Sequence, residues 1–181
     1  MEFEQTPIQG LILIKPKVFG DKRGLFVETW QKERYEEIGI KLPFVQDNHS
    51  RSVYGVLRGV HYQKEHAQGK LVSVSLGSVF DVAVDIRPGS PTFGKWYGVE
   101  LTADNQWQLW LEPGLAHGFV VRSEIAHFHY KCTDYYYPEY EASIHFADPD
   151  LAIDWGIDNP VLSEKDKIAP SFKAYCQSIG R

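Results

Sequence analysis

Short stretches with apolar side chains at every second position constrain the fold of this sequence most strongly. In residues 78–86, apolar side chains alternate with Asp81 and Asp85. Period-two alternation is typical of a β-strand with one buried face, so this segment is predicted to be a half-buried strand. The preceding residues 72–76 alternate in the same way, and Gly77 between the two segments predicts a hairpin.

Similar short runs recur along the whole chain, separated by turn signals rich in Gly, Pro, Asp and Asn. They are residues 11–14, 25–30, 56–62, 96–101, 107–111, 118–121 and 126–133. About nine strands at this spacing favour an all-β, double-sheet jelly-roll barrel with a few short helices and an interior that can hold a small ligand. Helical patterning is confined to residues 32–38 and 173–178. With 181 residues and no repeat or linker, the chain is predicted to be a single domain, 1–181.

Charge and cysteine content exclude several classes of protein. The sequence has 19 Lys and Arg against 24 Asp and Glu, a net charge of −5, and no basic run. A nucleic-acid binder held by phosphate neutralisation is therefore not expected. Two cysteines cannot form a disulfide framework, and the apolar run 11–14 is neither a signal peptide nor a membrane span. We expect a soluble, cytoplasmic protein that binds neither nucleic acid nor membrane.

Four polar residues stand in or beside predicted strands where apolar residues are usual. Lys70 has the same parity as Val72 and so begins an inward-facing row, and Tyr130 lies on a mainly apolar face. His61 lies within a strand, and His117 follows a turn signal. Each has a structural explanation when taken alone: a hydrogen-bonded core side chain, a turn residue, or a lysine whose head reaches solvent. Together they place a base, an ammonium group, a second imidazole and a phenol in one predicted barrel.

Seven histidines in a small barrel make a metal site the obvious alternative. A cupin metal site usually has a His-x-His pair followed by a glutamate, whereas this sequence reads His61-Tyr62-Gln63. The pair at residues 127 and 129 has the spacing but no glutamate soon after it, and a catalytic zinc usually has three protein ligands. No Gly-x-Gly-x-x-Gly or P-loop pattern occurs. We therefore predict no metal site.

These polar residues belong to longer segments through which the sequence resembles the dTDP-4-dehydrorhamnose 3,5-epimerase family. The segments occur in the family's order over nearly the whole chain, and the blocks around His61 and His117 are highly specific when found together. The segments are Phe19-Gly20-Asp21-Lys22-Arg23-Gly24 with Glu28, Gln46-Asp47-Asn48-His49-Ser50, Val56-Leu57-Arg58-Gly59-Val60-His61-Tyr62-Gln63, Gln68-Gly69-Lys70-Leu71-Val72, Gly77-Ser78-Val79-Phe80-Asp81-Val82-Ala83-Val84-Asp85, Pro113-Gly114-Leu115-Ala116-His117-Gly118-Phe119, Tyr130-Lys131-Cys132-Thr133 and Ser163-Glu164-Lys165-Asp166.

The resemblance implies a cupin-type jelly roll that forms homodimers and uses no metal or other cofactor. It also implies epimerisation at C3 and C5 of dTDP-4-dehydro-6-deoxy-D-glucose, in the route to dTDP-L-rhamnose. Both carbons are alpha to the C4 ketone, so each inversion needs a base, an acid on the opposite side and a positive group near the oxyanion. By matching position, His61 is the base, Asp166 its partner, Tyr130 the acid and Lys70 the charge near the C4 oxygen.

Binding roles are implied by the resemblance in the same way. Arg58 matches a diphosphate-contacting arginine, Tyr136 is placed to stack on thymine, and Phe19 is expected to face the substrate. The other matching substrate contacts are Arg23, Glu28, Gln46, Asn48, His117, Glu141 and Lys165. Because the family's N-terminal strand crosses to the partner subunit, Arg23 and Glu28 are expected to complete the neighbour's site.

One feature of the strand at residues 56–62 conflicts with these roles. Strict alternation would place Arg58 and His61 on opposite faces, so a bulge at Gly59 is predicted. Two alternatives stay open at this point. One is a relative that epimerises a single carbon of a similar nucleotide sugar, and the other is a catalytically silent barrel that binds a sugar nucleotide.

Overall fold

The computed structural model describes residues 1–181, which form thirteen strands, three α-helices and one short 3-10 helix. The strands are β1 (Glu2–Gln5), β2 (Leu11–Lys15), β3 (Val18–Asp21), β4 (Gly24–Val27), β5 (Gln46–Val53), β6 (Leu57–Gln63), β7 (Lys70–Leu76), β8 (Ser78–Asp85), β9 (Trp96–Thr102), β10 (Gln108–Leu111), β11 (Leu115–Val121), β12 (Ile125–Cys132) and β13 (Glu141–Ser143). The helices are α1 (Lys32–Glu37), α2 (Glu164–Lys167), α3 (Phe172–Ser178) and the 3-10 helix Pro138–Tyr140. None of the helices is long and apolar enough to cross a membrane.

Two antiparallel sheets form the body of the molecule, which confirms the predicted double-sheet jelly roll. The six-stranded sheet has the order β1-β2-β10-β7-β12-β5, and the five-stranded sheet has the order β13-β6-β11-β8-β9. Strands β3 and β4 form a separate two-stranded hairpin. The helices predicted at residues 32–38 and 173–178 are confirmed as α1 and α3.

Three layers of core residues hold the sheets in place. Side chains from both sheets, including Val72, Phe119 and Phe128, meet in the core between them. The outer face of the five-stranded sheet is covered by the C-terminal part of the chain, in which Trp155 and Phe172 are buried. Part of the outer face of the six-stranded sheet is covered by α1 and the loop after it. Strands of both sheets, among them β5 and β6, line the cavity described below.

The hairpin predicted at Gly77 is wrong. Strand β7 lies between β10 and β12 in one sheet, whereas β8 lies between β11 and β9 in the other. Gly77 has a φ of +76°, and a Cβ built on it would lie 2.0 Å from the carbonyl oxygen of Ile125. Only glycine fits this sharp corner, which carries the chain directly from one sheet to the other.

The half-buried character predicted for residues 78–86 is also wrong, because β8 is covered on both faces. Val79 and Ala83 face the core between the sheets, and Val82 and Val84 pack under the C-terminal segment. The two aspartates of β8 are fully buried as well. A strand covered on both faces can keep a polar alternation only if each buried carboxylate finds a partner.

The bulge predicted at Gly59 is confirmed. In the β6–β11 pairing His61 lies opposite His117 and Arg58 opposite Phe119, so three steps along β6 match two along β11. Gly59 has a φ of +132°, and a Cβ on it would lie 2.4 Å from the Cα of Gly118. The extra residue reverses the alternation, and Arg58 and His61 therefore line the same cavity.

Strand β5 was not predicted, because it is polar on both faces. Its sequence is QDNHSRSV, in which no apolar alternation can be recognised. On the outer face of the six-stranded sheet, His49 of β5 meets His127 and His129 of β12, and we call these three residues the histidine cluster. The Nε2 atom of His49 lies 3.2 Å from the Nδ1 atom of His127, and its ring stacks on that of His129 at 4.5 Å.

Candidate active site

A cavity of about 490 Å³ lies between the two sheets. It brings together eleven of the fourteen residues predicted for the site, although they come from distant parts of the sequence. They are Gln46, Asn48, Arg58, His61, Lys70, His117, Tyr130, Tyr136, Glu141, Lys165 and Asp166. The cavity is of the size that holds small-molecule ligands in proteins.

The remaining three predicted residues do not line this cavity. Phe19 and Arg23 lie on the exposed β3–β4 hairpin, where Arg23 pairs with Asp21 at 2.5 Å. Glu28 follows the hairpin and pairs with Arg34 at 2.6 Å. A role for these residues in a binding site would require the hairpin to reach another chain.

His61 on β6 and Asp166 on α2 form a hydrogen-bonded pair. The distance between His61 Nε2 and Asp166 Oδ1 is 2.6 Å, although 105 residues separate them in sequence. The hydroxyl of Ser163, the N-cap of α2, donates to Asp166 Oδ2 at 2.7 Å. Because the carboxylate accepts the proton on Nε2, the Nδ1 atom of a neutral His61 carries no proton. Nδ1 has no protein partner and is therefore available to accept a proton.

Asp166 is ionised in this pair. Burial raises the pKa of its carboxyl, but hydrogen bonds from His61 and Ser163 outweigh the burial and leave the pKa below its ordinary value. The side chain is only 2% exposed. A buried carboxylate in this position fixes the tautomer of a histidine and stabilises its protonated form.

Tyr130 and Lys70 approach the cavity from the opposite sheet. They lie on β12 and β7 and have the inward orientation predicted from Val72 and Phe128. Burial raises the pKa of Tyr130, so its phenol stays protonated near neutral pH. Burial lowers the pKa of Lys70, although the nearby groups Cys132, Asp81 and Glu141 act in the other direction. The candidate base and the candidate acid therefore occupy different sheets.

A second imidazole–carboxylate pair was not predicted. His117 Nε2 lies 2.9 Å from Asp81 Oδ2, and His117 and Asp81 are 7% and 0% exposed. The sequence carried a signal for Asp81, because it has the parity of Val79 and Ala83, which face the core. Had β8 been recognised as covered on both faces, Asp81 would have been identified as a buried carboxylate on the core side of the strand.

Two aromatic rings link the sheets beside these pairs. Phe119 of β11 stacks on Phe128 of β12 with 4.2 Å between ring centroids and 19° between planes. Both rings line the cavity, and His117 stacks on Phe128 at 5.9 Å. The stack joins the wall that carries His61 to the wall that carries Tyr130.

Polar groups from three segments meet at another part of the cavity wall. Lys165 Nζ donates to Glu141 Oε1 at 2.7 Å, and the hydroxyl of Tyr136 donates to Glu141 Oε2 at 3.0 Å. Burial raises the pKa of Glu141, but its bonds to Lys165 and Tyr136 outweigh the burial and lower it. The charge of Lys165 is thus compensated by Glu141, whereas Arg58 and Lys70 form no ion pair. Two unpaired positive charges make the cavity suitable for an anionic ligand.

The guanidinium of Arg58 has one protein partner, which the sequence did not suggest. Its Nε donates to Ser52 Oγ on β5 at 3.1 Å. No group of three or more His, Cys, Asp or Glu side chains has a geometry that could hold a metal ion.

Comparisons with known proteins agree with this geometry. Residues 5–174 match the family described as dTDP-4-dehydrorhamnose 3,5-epimerase. The dTDP-4-dehydrorhamnose 3,5-epimerase of Pseudomonas aeruginosa is 55% identical over 174 residues, which are 95% of this chain and 96% of that protein.

Solved structures of sugar-nucleotide epimerases superpose on this chain as well. The dTDP-6-deoxy-D-glucose-3,5-epimerase of Legionella pneumophila, in complex with dTDP-4-keto-L-rhamnose, superposes with a TM-score of 0.92 at 57% identity, over 95% of this chain and 93% of that one. A 3′-monoepimerase of Streptomyces bikiniensis, in complex with dTDP-quinovose, superposes with a TM-score of 0.90 at 35% identity, over 97% and 89%. With the family match spanning nearly all of the sequence, the chain belongs to the dTDP-4-dehydrorhamnose 3,5-epimerase family.

Proposed function

We propose that this protein epimerises dTDP-4-dehydro-6-deoxy-D-glucose at C3 and C5 to give dTDP-4-dehydro-L-rhamnose, in the route to dTDP-L-rhamnose. The observation that carries the proposal is the His61–Asp166 pair on one wall of a cavity whose opposite wall holds Tyr130 and Lys70. An acid and a base on opposite walls can remove a proton from one face of a sugar carbon and return one to the other face. A protein that only bound a sugar nucleotide would not need this arrangement.

The chemistry follows from the ketone at C4, which acidifies the protons on C3 and C5. His61 Nδ1 accepts one of these protons, and the electrons of the C–H bond move to the C4 oxygen to form an enolate. The Lys70 ammonium group stabilises the developing negative charge. Tyr130 then donates its phenolic proton to the opposite face of the carbon, and solvent restores both groups. All of these parts are protein side chains, so the reaction needs no metal or organic cofactor.

The nucleotide is bound by the remaining polar groups of the cavity. We assign the diphosphate to Arg58, whose planar guanidinium matches two phosphate oxygens. Tyr136 stacks on the thymine ring, and Lys165 is freed for the ligand when it leaves Glu141. The sugar contacts are assigned to His117, Gln46 and Asn48.

A homodimer is part of the proposal. The β3–β4 hairpin exposes four apolar side chains, of which Phe26 is 69% and Phe19 is 53% exposed. Packing this hairpin against a second copy would bury the exposed rings and bring Phe19, Arg23 and Glu28 to the neighbour's cavity. Both cysteines are free, which suits the reducing cytoplasm to which we assign the protein.

The test is incubation with the 4-keto sugar nucleotide in deuterated water, followed by NMR. We expect deuterium at both C3 and C5, with formation of the inverted product. Deuterium at one carbon only would show that the protein epimerises a single carbon. Substrate binding without any deuterium incorporation would show a barrel that binds the sugar nucleotide but does not catalyse the reaction.

Two histidine variants make the test specific. His61→Asn should abolish label incorporation. The matched control is His66→Asn, because His66 also faces an aspartate, Asp134, at 3.3 Å but lies outside the cavity. The control should exchange label at the rate of the unmodified protein.

A further inference from the structure

We infer that Ser52 is a positioning residue that orients the guanidinium of Arg58 toward the ligand's diphosphate. The inference rests on the function proposed above, because it concerns how this cavity holds a nucleoside diphosphate. Ser52 belongs to none of the family segments identified in the sequence and does not itself line the cavity.

The contact between the two residues spans the two sheets. Ser52 lies on β5 at the edge of the six-stranded sheet, and Arg58 lies on β6 of the five-stranded sheet. Ser52 is 6% exposed, and its Oγ accepts the hydrogen bond from Arg58 Nε at 3.1 Å. A buried hydroxyl thus holds one end of an otherwise exposed guanidinium.

The choice of Nε as the bonded atom has a geometric consequence. The guanidinium is planar, so fixing its Nε–H fixes the plane of the whole group. The two Nη groups have no protein partner and remain free in this fixed plane. Paired N–H groups of this kind are the donors that bind two phosphate oxygens at once.

The chemistry of the partner matters as much as its position. A carboxylate at residue 52 would also hold Nε, but it would neutralise Arg58 and repel the diphosphate. The serine hydroxyl is uncharged, so it orients the guanidinium and leaves its positive charge available to the ligand. The neighbouring Ser50 does not share this role, since Arg58 Nε bonds Ser52 and the buried Oγ of Ser50 has no hydrogen-bond partner.

Binding of dTDP and of thymidine, measured by calorimetry, tests the inference. Ser52→Ala removes one hydrogen bond and should weaken dTDP binding about five-fold, while thymidine binding stays unchanged because it lacks phosphates. KM for the sugar nucleotide should rise by a similar factor, with kcat at saturation changed less than two-fold. Ser52→Thr keeps the hydroxyl and should restore dTDP binding, whereas Ser52→Asp should weaken it more than Ser52→Ala does.

Two controls separate positioning from a structural role. Ser75→Ala removes a serine that bonds His129 at 2.7 Å on the outer face of the sheet, and it should not alter dTDP binding. In an Arg58→Lys background, which has no Nε, adding Ser52→Ala should cause no further loss.

The outcomes that overturn the inference are definite. An equal loss of thymidine and dTDP affinity in Ser52→Ala would mean a general disturbance of the cavity, and additive losses with Arg58→Lys would mean that the two residues act separately. Unchanged dTDP binding would also refute it. Failure of the proposed function would show differently, as absence of deuterium incorporation by the unmodified protein.

Discussion

Replacing Asp166 by asparagine tests the role of the His61–Asp166 pair with the least change in side-chain shape. The amide oxygen can still accept the proton of His61 Nε2, and the amide nitrogen can donate to the hydroxyl of Ser163, which now donates to Oδ2 at 2.7 Å. Packing and tautomer are therefore retained. What disappears is the negative charge that, in the proposed mechanism, stabilises the imidazolium formed when His61 accepts a proton.

The size of the effect follows from the geometry. The His61–Asp166 contact is 2.6 Å long and Asp166 is 2% exposed, so solvent screens the charge little. A hydrogen bond to a charged group contributes about 1.5–3 kcal/mol. At about 1.4 kcal/mol per factor of ten, kcat should fall roughly 10- to 150-fold. KM should change little, because the charge is needed in the transition state more than in binding.

The assay is the initial rate of deuterium incorporation at saturating sugar nucleotide, with far-UV circular dichroism to verify folding. Asp148→Asn is the matched control, because Asp148 is also 2% exposed and accepts the backbone N–H of Phe172 at 2.8 Å, outside the cavity. The control should lower thermal stability without lowering kcat. A folded Asp166→Asn protein with kcat within three-fold of the unmodified value would refute the role given to the charge.

Two further predictions concern the acid and the histidine cluster. Tyr130→Phe should lower product formation by about 10²- to 10⁴-fold, while NMR still detects deuterium returned to the original face of the sugar; normal inversion would exclude Tyr130 as the acid. Burial of His129 and, to a smaller extent, the neighbouring His49 and His127 hold its pKa below the ordinary 6.5. Below pH 6.5, His129 therefore binds a proton less readily in the folded protein than in the unfolded chain. Its contribution to the free energy of unfolding is fully present above pH 6.5 and should be lost as the pH falls below that value. His129→Gln should flatten this decline in chemical denaturation measured between pH 7 and about 5, and an unchanged pH dependence would contradict the interpretation.

Much of the barrel could be predicted from local pattern. The alternation in residues 72–76 and 78–86 identified two real strands, and the shift at Gly59 was required by the chemistry of its neighbours. The strands that pair with β7 and with β8 could not be predicted, because a short glycine turn has the same sequence signal whether it closes a hairpin or joins two sheets. Which strand becomes a neighbour is decided by distant segments, here β10, β11 and β12.

The site shows the same division between local and distant information. Catalytic candidates such as Lys70 and Tyr130 could be recognised from their parity, and the resemblance supplied Asp166. The pairing of Asp81 with His117 and of Ser52 with Arg58 could not be found, because each depends on a partner in another strand of the folded chain. Strand β5 was missed for a related reason: a strand that lines a cavity on one face and meets solvent on the other carries no hydrophobic alternation.

The stacked rings of Phe119 and Phe128 have a consequence for catalysis although neither carries out chemistry. They lie between the two walls that carry the proposed base and the proposed acid, with 4.2 Å between the ring centroids. The stack therefore acts as a spacer that sets how far a proton donor on one wall stands from a proton acceptor on the other. A thinner side chain at either position would change the width of the gap that the sugar ring must fill, and so the balance between inversion and simple exchange.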